Sequence, residues 1–137
     1  MLKLNELKEG DIVMVDFEGQ MRVGDVMEIS KGDKKARVAH EESQFWYDPD
    51  HIFAVPADET HLLEMGFIKV LNNNSDGEIF ERGPFTIQVV KRGNNTHHLL
   101  HYRDETRQIL DLKYLHQLQH HYKGMTNFDL TWGSELT

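Results

Sequence analysis

The sequence predicts a mixed β and α+β fold: a small five-stranded β-barrel over residues 1–57, then over 58–137 a small antiparallel sheet covered by a C-terminal helix. Three observations predict it. Apolar runs of strand length, separated by turn residues, fill the chain up to Pro56. Beyond Pro56, helix caps and glycines alternate with strand-like runs, and one amphipathic helix comes last. A chain of 137 residues with 39% hydrophobic content supports one ordinary domain or two very small ones packed together.

Leu4 and Leu7 lead into the turn Lys8-Glu9-Gly10-Asp11, and the β-branched run Ile12-Val13-Met14-Val15-Asp16-Phe17 has the make-up of a first strand. Glu18-Gly19 closes a hairpin onto a longer, bent strand carrying Met21, Val23, Val26 and Ile29, where Gly24 permits a bulge or the close approach of a neighbour. After the turn Lys31-Gly32-Asp33, a third strand reads Ala36-Arg37-Val38-Ala39-His40 and a fourth Gln44-Phe45-Trp46-Tyr47. Asp48-Pro49-Asp50-His51 makes a helical turn before the last strand, Ile52-Phe53-Ala54-Val55. Five short strands on tight turns bury one face by curling, since an open sheet leaves its edges unpaired.

In the second half, Asp58 is placed to cap a short helix over 59–65, which Gly66 ends and whose buried face is Leu62, Leu63 and Met65. Phe67-Ile68-Lys69-Val70-Leu71 follows as a strand, 72–77 as a turn and Glu78-Ile79-Phe80-Glu81 as the hairpin partner. Beyond Pro84, Phe85-Thr86-Ile87-Gln88-Val89-Val90 alternates, Gly93-Asn94-Asn95 turns, and 96–102 returns. A meander of three or four strands, ended by Asp104-Glu105-Thr106, is the economical reading. Asp111 is placed to cap the closing helix, expected over 112–124. Leu115, Leu118, Tyr122 and Met125 recur there at helical spacing, and Gly124 stops it. Phe128, Leu130 and Trp132 in the tail suggest that part of it packs, with fraying from Gly133 onward.

Composition narrows the function. Fifteen Lys and Arg against 23 Asp and Glu, with no basic block longer than Lys34-Lys35, argue against nonspecific nucleic-acid binding, which depends on neutralising phosphates. The absence of cysteine excludes disulfides, thiolate metal sites and cysteine nucleophiles. No apolar run approaches the ~20 residues that span a bilayer, and the expected location is the cytoplasm, with no membrane partner. Histidine is uneven: six of the nine fall between His97 and His121.

Two resemblances follow from particular residues. Gly10-Asp11-Ile12-Val13, the strand lengths and the turn before the fifth strand make the first half resemble an SH3-like barrel over about 50 residues. Leu62-Leu63-Glu64-Met65-Gly66-Phe67, together with Lys113-Tyr114-Leu115-His116-Gln117-Leu118-Gln119, resembles a family of small uncharacterised proteins from bacterial genomes, prophages and mobile elements, across roughly 58–125. Leu115 stands where that family has valine, and His120-His121-Tyr122-Lys123-Gly124-Met125-Thr126 stands where it has an apolar segment. The resemblance implies an accessory, non-catalytic role and assigns no site.

Three groups of residues are candidates for chemistry. His116 and His120, four apart on the last helix, share a face as two ligands of one zinc must, with His97, His98 or His101 as the third. The favoured alternative is that these histidines pack at the surface or at boundaries. Phe45, Trp46 and Tyr47 lie on one strand, so Phe45 and Tyr47 point one way and Trp46 the other. An exposed ring there would stack on a proline, base or cation, and the acidic residues Glu41, Glu42, Asp48 and Asp50 would welcome a basic peptide. The competing and favoured reading packs Trp46 between the two halves. Lys34, Lys35 and Arg37, with Arg22 opposite, form the patch a nucleic-acid-associated barrel would need.

No Gly-x-Ser-x-Gly, phosphate loop or Gly-x-Gly-x-x-Gly is present, and no cofactor is called for. The leading expectation is a non-enzymatic module of a prophage or mobile element that binds an unidentified protein or peptide. A nucleic-acid-associated protein is the alternative, and a zinc-dependent enzyme the third class.

Overall fold

The computed structural model describes residues 2–41, 43–70, 78–110 and 112–131. It is mostly β, with two five-stranded sheets and a C-terminal helix, and every strand pairing is antiparallel. The first sheet contains β1 (Ile12–Phe17), β2 (Gln20–Ser30), β3 (Lys35–His40), β4 (Ser43–Tyr47) and β5 (Ile52–Ala54), in the order β4-β3-β2-β1-β5. A 3-10 turn, Pro49–His51, precedes β5 as the sequence suggests. β4 and β5 are the two edges, and among the described residues no pairing between them closes the expected barrel. β5 is only three residues long, and its register is taken up by β1.

β1 has both faces covered, which explains its unbroken apolar run. Val13 and Val15 join Leu2, Leu7, Val26, Ala36, Val38, Tyr47 and Ile52 in one core. Ile12, and Met14 beside it, belong to a second core that continues into the other half of the chain. Gly24 on β2 is where a neighbour comes close: a Cβ there would lie 2.4 Å from the Ala39 carbonyl oxygen. The irregularity in pairing falls two residues later, between Val26 and Glu28.

α1 (Glu59–Glu64) follows, with the Asp58 side chain accepting the His61 N–H at its start, as its sequence position predicts. Gly66, at φ 93, ends it in the left-handed region that glycine tolerates. The second sheet runs β6 (Ile68–Val70), β7 (Glu78–Arg82), β8 (Phe85–Arg92), β9 (Asn95–Tyr102) and β10 (Glu105–Leu110), each paired to the next. It has five strands rather than three or four. Glu105-Thr106 opens β10 rather than ending the sheet, because Arg103 takes a positive φ of 55° and the chain reverses so that Glu105 pairs with Tyr102. Thr106, Gln108 and Leu110 lie exposed on this edge strand, which gives it a loop-like composition.

α2 (Leu115–Thr126) lies on the second sheet, burying Leu115, Leu118, Tyr122 and Met125 against Phe80, Phe85, Ile87 and Leu100. It starts three residues later than expected and runs through Gly124, ending at Asn127 with φ 65. Gly124 lies against the Arg107 guanidinium, so its lack of a side chain serves packing rather than termination. The proposed cap Asp111, the 72–77 turn, Glu42 and Trp132 lie outside the described residues. Among the described residues, no helix is long and apolar enough to cross a membrane.

The two halves meet along a hydrogen-bonded seam. Leu115 N–H donates to the Val55 carbonyl at 2.8 Å, Ala57 N–H to the Lys113 carbonyl at 2.8 Å, and Pro56 bridges to Tyr114. Ile12 and Val55 join the core of the second half, so α2 is held by both sheets.

Candidate functional site

The head of α2 is set against the entry to β1, and this seam gathers three of the six polar side chains buried among the described residues, Asp11, His116 and Gln119. Gln119 lies between Leu115 and Tyr122 on the helix face that is otherwise apolar. Its Oε1 accepts the Ile12 N–H at 2.8 Å, and its Nε2 donates to the Gly10 and Leu130 carbonyls, both at 2.8 Å. On the next residue, Nε2 of His120 lies 2.9 Å from each oxygen of Asp11, which is 2% exposed. Asp11 also accepts the Lys8 N–H at 2.8 Å. Burial raises the Asp11 pKa above its ordinary value, against the lowering effect of the Lys8 N–H and of His120.

His116 is the unusual member. It is 3% exposed, and its Nδ1 is sealed from solvent without a hydrogen-bond partner. Its ring stacks on Tyr114 at 5.9 Å and 13° and meets His120 edge-on at 5.9 Å. Burial lowers its pKa, with the nearby Asp11 and Glu6 opposing and His120 assisting. Both histidines line a cleft of about 820 Å³ that continues past Lys8, Phe53, Tyr114 and Gln117.

The zinc reading fails on geometry. Among the described residues no group of three or more His, Asp or Glu side chains is placed to hold one metal. Strand alternation is the reason. Leu100 faces α2 from β9, so its neighbour His101 points to the other side of the sheet, where its Nδ1 lies 3.0 Å from the Thr106 hydroxyl. His97 shares that outer face, with Nδ1 3.0 Å from the Gln108 amide nitrogen. His98 faces inward, and its Nδ1 accepts the Leu112 N–H at 3.4 Å. The His116–His120 pairing on one helix face is real, but His97 and His101 point away and His98 is engaged by the Leu112 N–H.

The aromatic strand divides as its alternation requires. Tyr47 is buried, with its hydroxyl 2.7 Å from Nε2 of the buried His40. Phe45, on the same face, is 43% exposed and stacks on Phe17 at 5.2 Å and 25°. Trp46 does not pack between the halves: β4 is an edge of the first sheet, and the indole is 45% exposed with the Arg37 guanidinium 6.0 Å from its ring.

The cationic patch is divided and largely neutralised. Arg22 pairs with Glu41 at 2.8 Å, Arg37 with Glu28 at 3.1 Å, and Lys35 lies 4.0 Å from Asp48. By register Arg22, opposite Val15, belongs to the face of the first core, whereas Arg37, opposite Trp46 and Glu28, is on the other. Lys34 sits in the β2–β3 turn at φ 55. Carboxylates already meet three of the four cations that a phosphate backbone would need.

Asp11, Gln119, Phe17 and Tyr114 escape a reading of the sequence for sites. Gln119 alone leaves a signal there: a polar residue on an apolar helical stripe is a candidate for a buried hydrogen-bond anchor.

Stability should depend on pH through the lowered histidines. His116 is lowered by burial, and His121 by burial first and then by Arg107 and His120. The unfolded chain takes up protons near pH ~6.5 more readily than the folded one, so stability is lost as pH falls through that value. Asp11 has the opposite sign, its raised pKa favouring the folded state once pH enters the carboxylate range. Melting temperature is therefore expected to fall from pH 7.5 to 5.5, and His116→Phe to flatten that fall. An identical slope in the variant would remove His116 as a cause.

No family model, curated protein or solved structure matches the chain.

Proposed function

We propose that the protein is a non-enzymatic interaction module that binds a basic protein segment or peptide on the aromatic edge of its first sheet. The observation that carries this reading is Phe45, which is 43% exposed yet held flat on Phe17. A ring already immobilised by its neighbour loses little entropy on binding, which is what an aromatic anchor requires. Trp46 adds a second exposed ring through the other face of the same strand. β4 pairs on one side only, so its free edge offers backbone groups to an added strand. Asp50 follows it in the chain and favours a Lys- or Arg-bearing partner, whose cations would also compete with Arg22 and Lys35 for Glu41 and Asp48.

The strand order β4-β3-β2-β1-β5 and the 3-10 turn before β5 support reading the first sheet as an SH3-like barrel. The likeness of the 113–119 segment to a prophage and mobile-element family supports an accessory role in that setting.

Titrating the protein with a panel of Lys- and Arg-rich peptides while following tryptophan fluorescence, with Trp46→Phe separating the Trp46 signal from that of Trp132, tests the proposal. Saturable binding is expected for some members, weakened at least tenfold by Phe45→Ala with the fold intact by circular dichroism. A panel without binders, together with turnover in a screen of hydrolase substrates, would reverse the reading.

A further inference from the structure

The cleft at the head of α2 lies outside the aromatic edge and carries its own chemistry. Its charges are balanced. Lys8 and Glu6 both line it, while Asp11, outside the lining and 2% exposed, is already hydrogen-bonded to His120 and to the Lys8 N–H. An oxyanion there would face the Glu6 carboxylate, and a cation would face Lys8. Neither sign is favoured, so the polar recognition has to come from neutral donors and acceptors.

The imidazoles supply one of each. A carboxylate accepts, so the neutral His120 ring places its N–H on Nε2, the atom 2.9 Å from both Asp11 oxygens. Its Nδ1 is then a lone pair. In His116, Nδ1 is the sealed, unpartnered atom. A buried orphan acceptor is tolerated better than a buried orphan N–H, which assigns the lone pair to Nδ1 and the N–H to Nε2. Nε2 is the His116 ring atom left to meet a ligand in the cleft. A donor on one ring and an acceptor on the next, with centroids 5.9 Å apart, thus belong to two residues that line the same cleft.

The rest of the lining extends that pattern. The Gln117 Oε1 accepts the Lys113 and Tyr114 N–H groups, leaving its amide NH₂ as a further neutral donor. Tyr114 and Phe53 are each 37% exposed and provide aromatic faces at the cleft. Flat aromatic surfaces beside a donor and an acceptor suit a planar heterocycle.

We propose that this cleft is a second binding site, which takes a small, neutral, planar heterocycle with a lactam edge, the adjacent N–H and C=O of an oxo-nucleobase, read by His120 Nδ1 and His116 Nε2. The lactam N–H donates to His120, its carbonyl accepts from His116, and the ring stacks on the Tyr114 side. 1,3-Dimethyluracil, which keeps both carbonyls but has no N–H to donate to His120, fits poorly.

The test follows the imidazole ¹⁵N resonances of the full chain at pH 7.5 during titration with uracil, hypoxanthine, 1,3-dimethyluracil and inorganic phosphate. Uracil or hypoxanthine is expected to shift the His116 and His120 signals saturably, 1,3-dimethyluracil to bind at least tenfold more weakly than uracil, and phosphate to leave them in place. Tyr114→Ala, at a half-exposed position, should weaken lactam binding at least fivefold without unfolding the protein, and His120→Phe at least tenfold. Absence of a saturable shift with either lactam base would overturn the proposal, as would an equal shift by phosphate, which would make the cleft an anion site. The part of the tryptophan fluorescence that Trp46→Phe removes is expected to stay constant throughout, so failure here is distinguishable from failure at the aromatic edge.

Discussion

Replacing Gln119 by leucine is expected to lower the unfolding free energy by about 2–4 kcal/mol, since each buried polar group left without a partner costs about 1–3 kcal/mol. Leucine fits the apolar stripe of α2, so the loss would not come from the helix itself. It comes from three backbone groups: the Ile12 N–H and the Gly10 and Leu130 carbonyls, each 2.8 Å from the Gln119 amide. These belong to β1, the turn before it and the tail, so one side chain ties α2 to the first sheet and to the C-terminal segment at once. The substitution Gln119→Glu keeps the acceptor for Ile12 but replaces the amide donor by an oxygen facing two carbonyls, and is expected to be at least as damaging. Urea unfolding followed by circular dichroism measures both variants. A loss below ~1 kcal/mol for Gln119→Leu would mean that the seam contributes little to folding.

Gly24→Ala is expected to cost about 3 kcal/mol or more, at the upper end of the usual range for overpacking. The added Cβ would lie 2.4 Å from the Ala39 carbonyl oxygen and 2.8 Å from Val38 Cγ1. The first of these is backbone and cannot rotate away. Gly24 pairs with Val13 on one side, and its neighbour Asp25 pairs with Ala39 on the other, so β2 is held between two strands. Relief requires β2 and β3 to separate, opening the core that contains Val26 and Val38. Gly32→Ala is the control, because nothing lies within 4 Å of a Cβ at Gly32 and its φ is ordinary. Thermal melts should show a large fall for the first variant and almost none for the second. Equal effects would remove the close approach as the reason for glycine at position 24.

Local hydrogen bonding and side-chain period made most elements legible in the sequence. The first five strands, the 3-10 turn at Pro49–His51, the capped helix α1 and the apolar stripe of α2 all follow from residues a few positions apart. β10 was not legible, because half of an edge strand faces solvent and its composition resembles that of a loop. The start of α2 was also displaced: Gln117, reaching back to the Lys113 and Tyr114 N–H groups, holds its entry without an acidic cap.

What composition and spacing determined about this protein is its antiparallel, mostly β character, its poverty in basic blocks and thiols, and the shared face of His116 and His120. Only the tertiary structure decided what those histidines meet. Asp11 lies 109 positions from His120 in the chain, and His101 is turned from α2 by the alternation of its strand. Whether Trp46 is buried likewise depended on which strand became the edge of the sheet. The physical reason is range: period and capping act over one turn or one strand, whereas burial and the partner of each polar group are set when two sheets and a helix close on a common core.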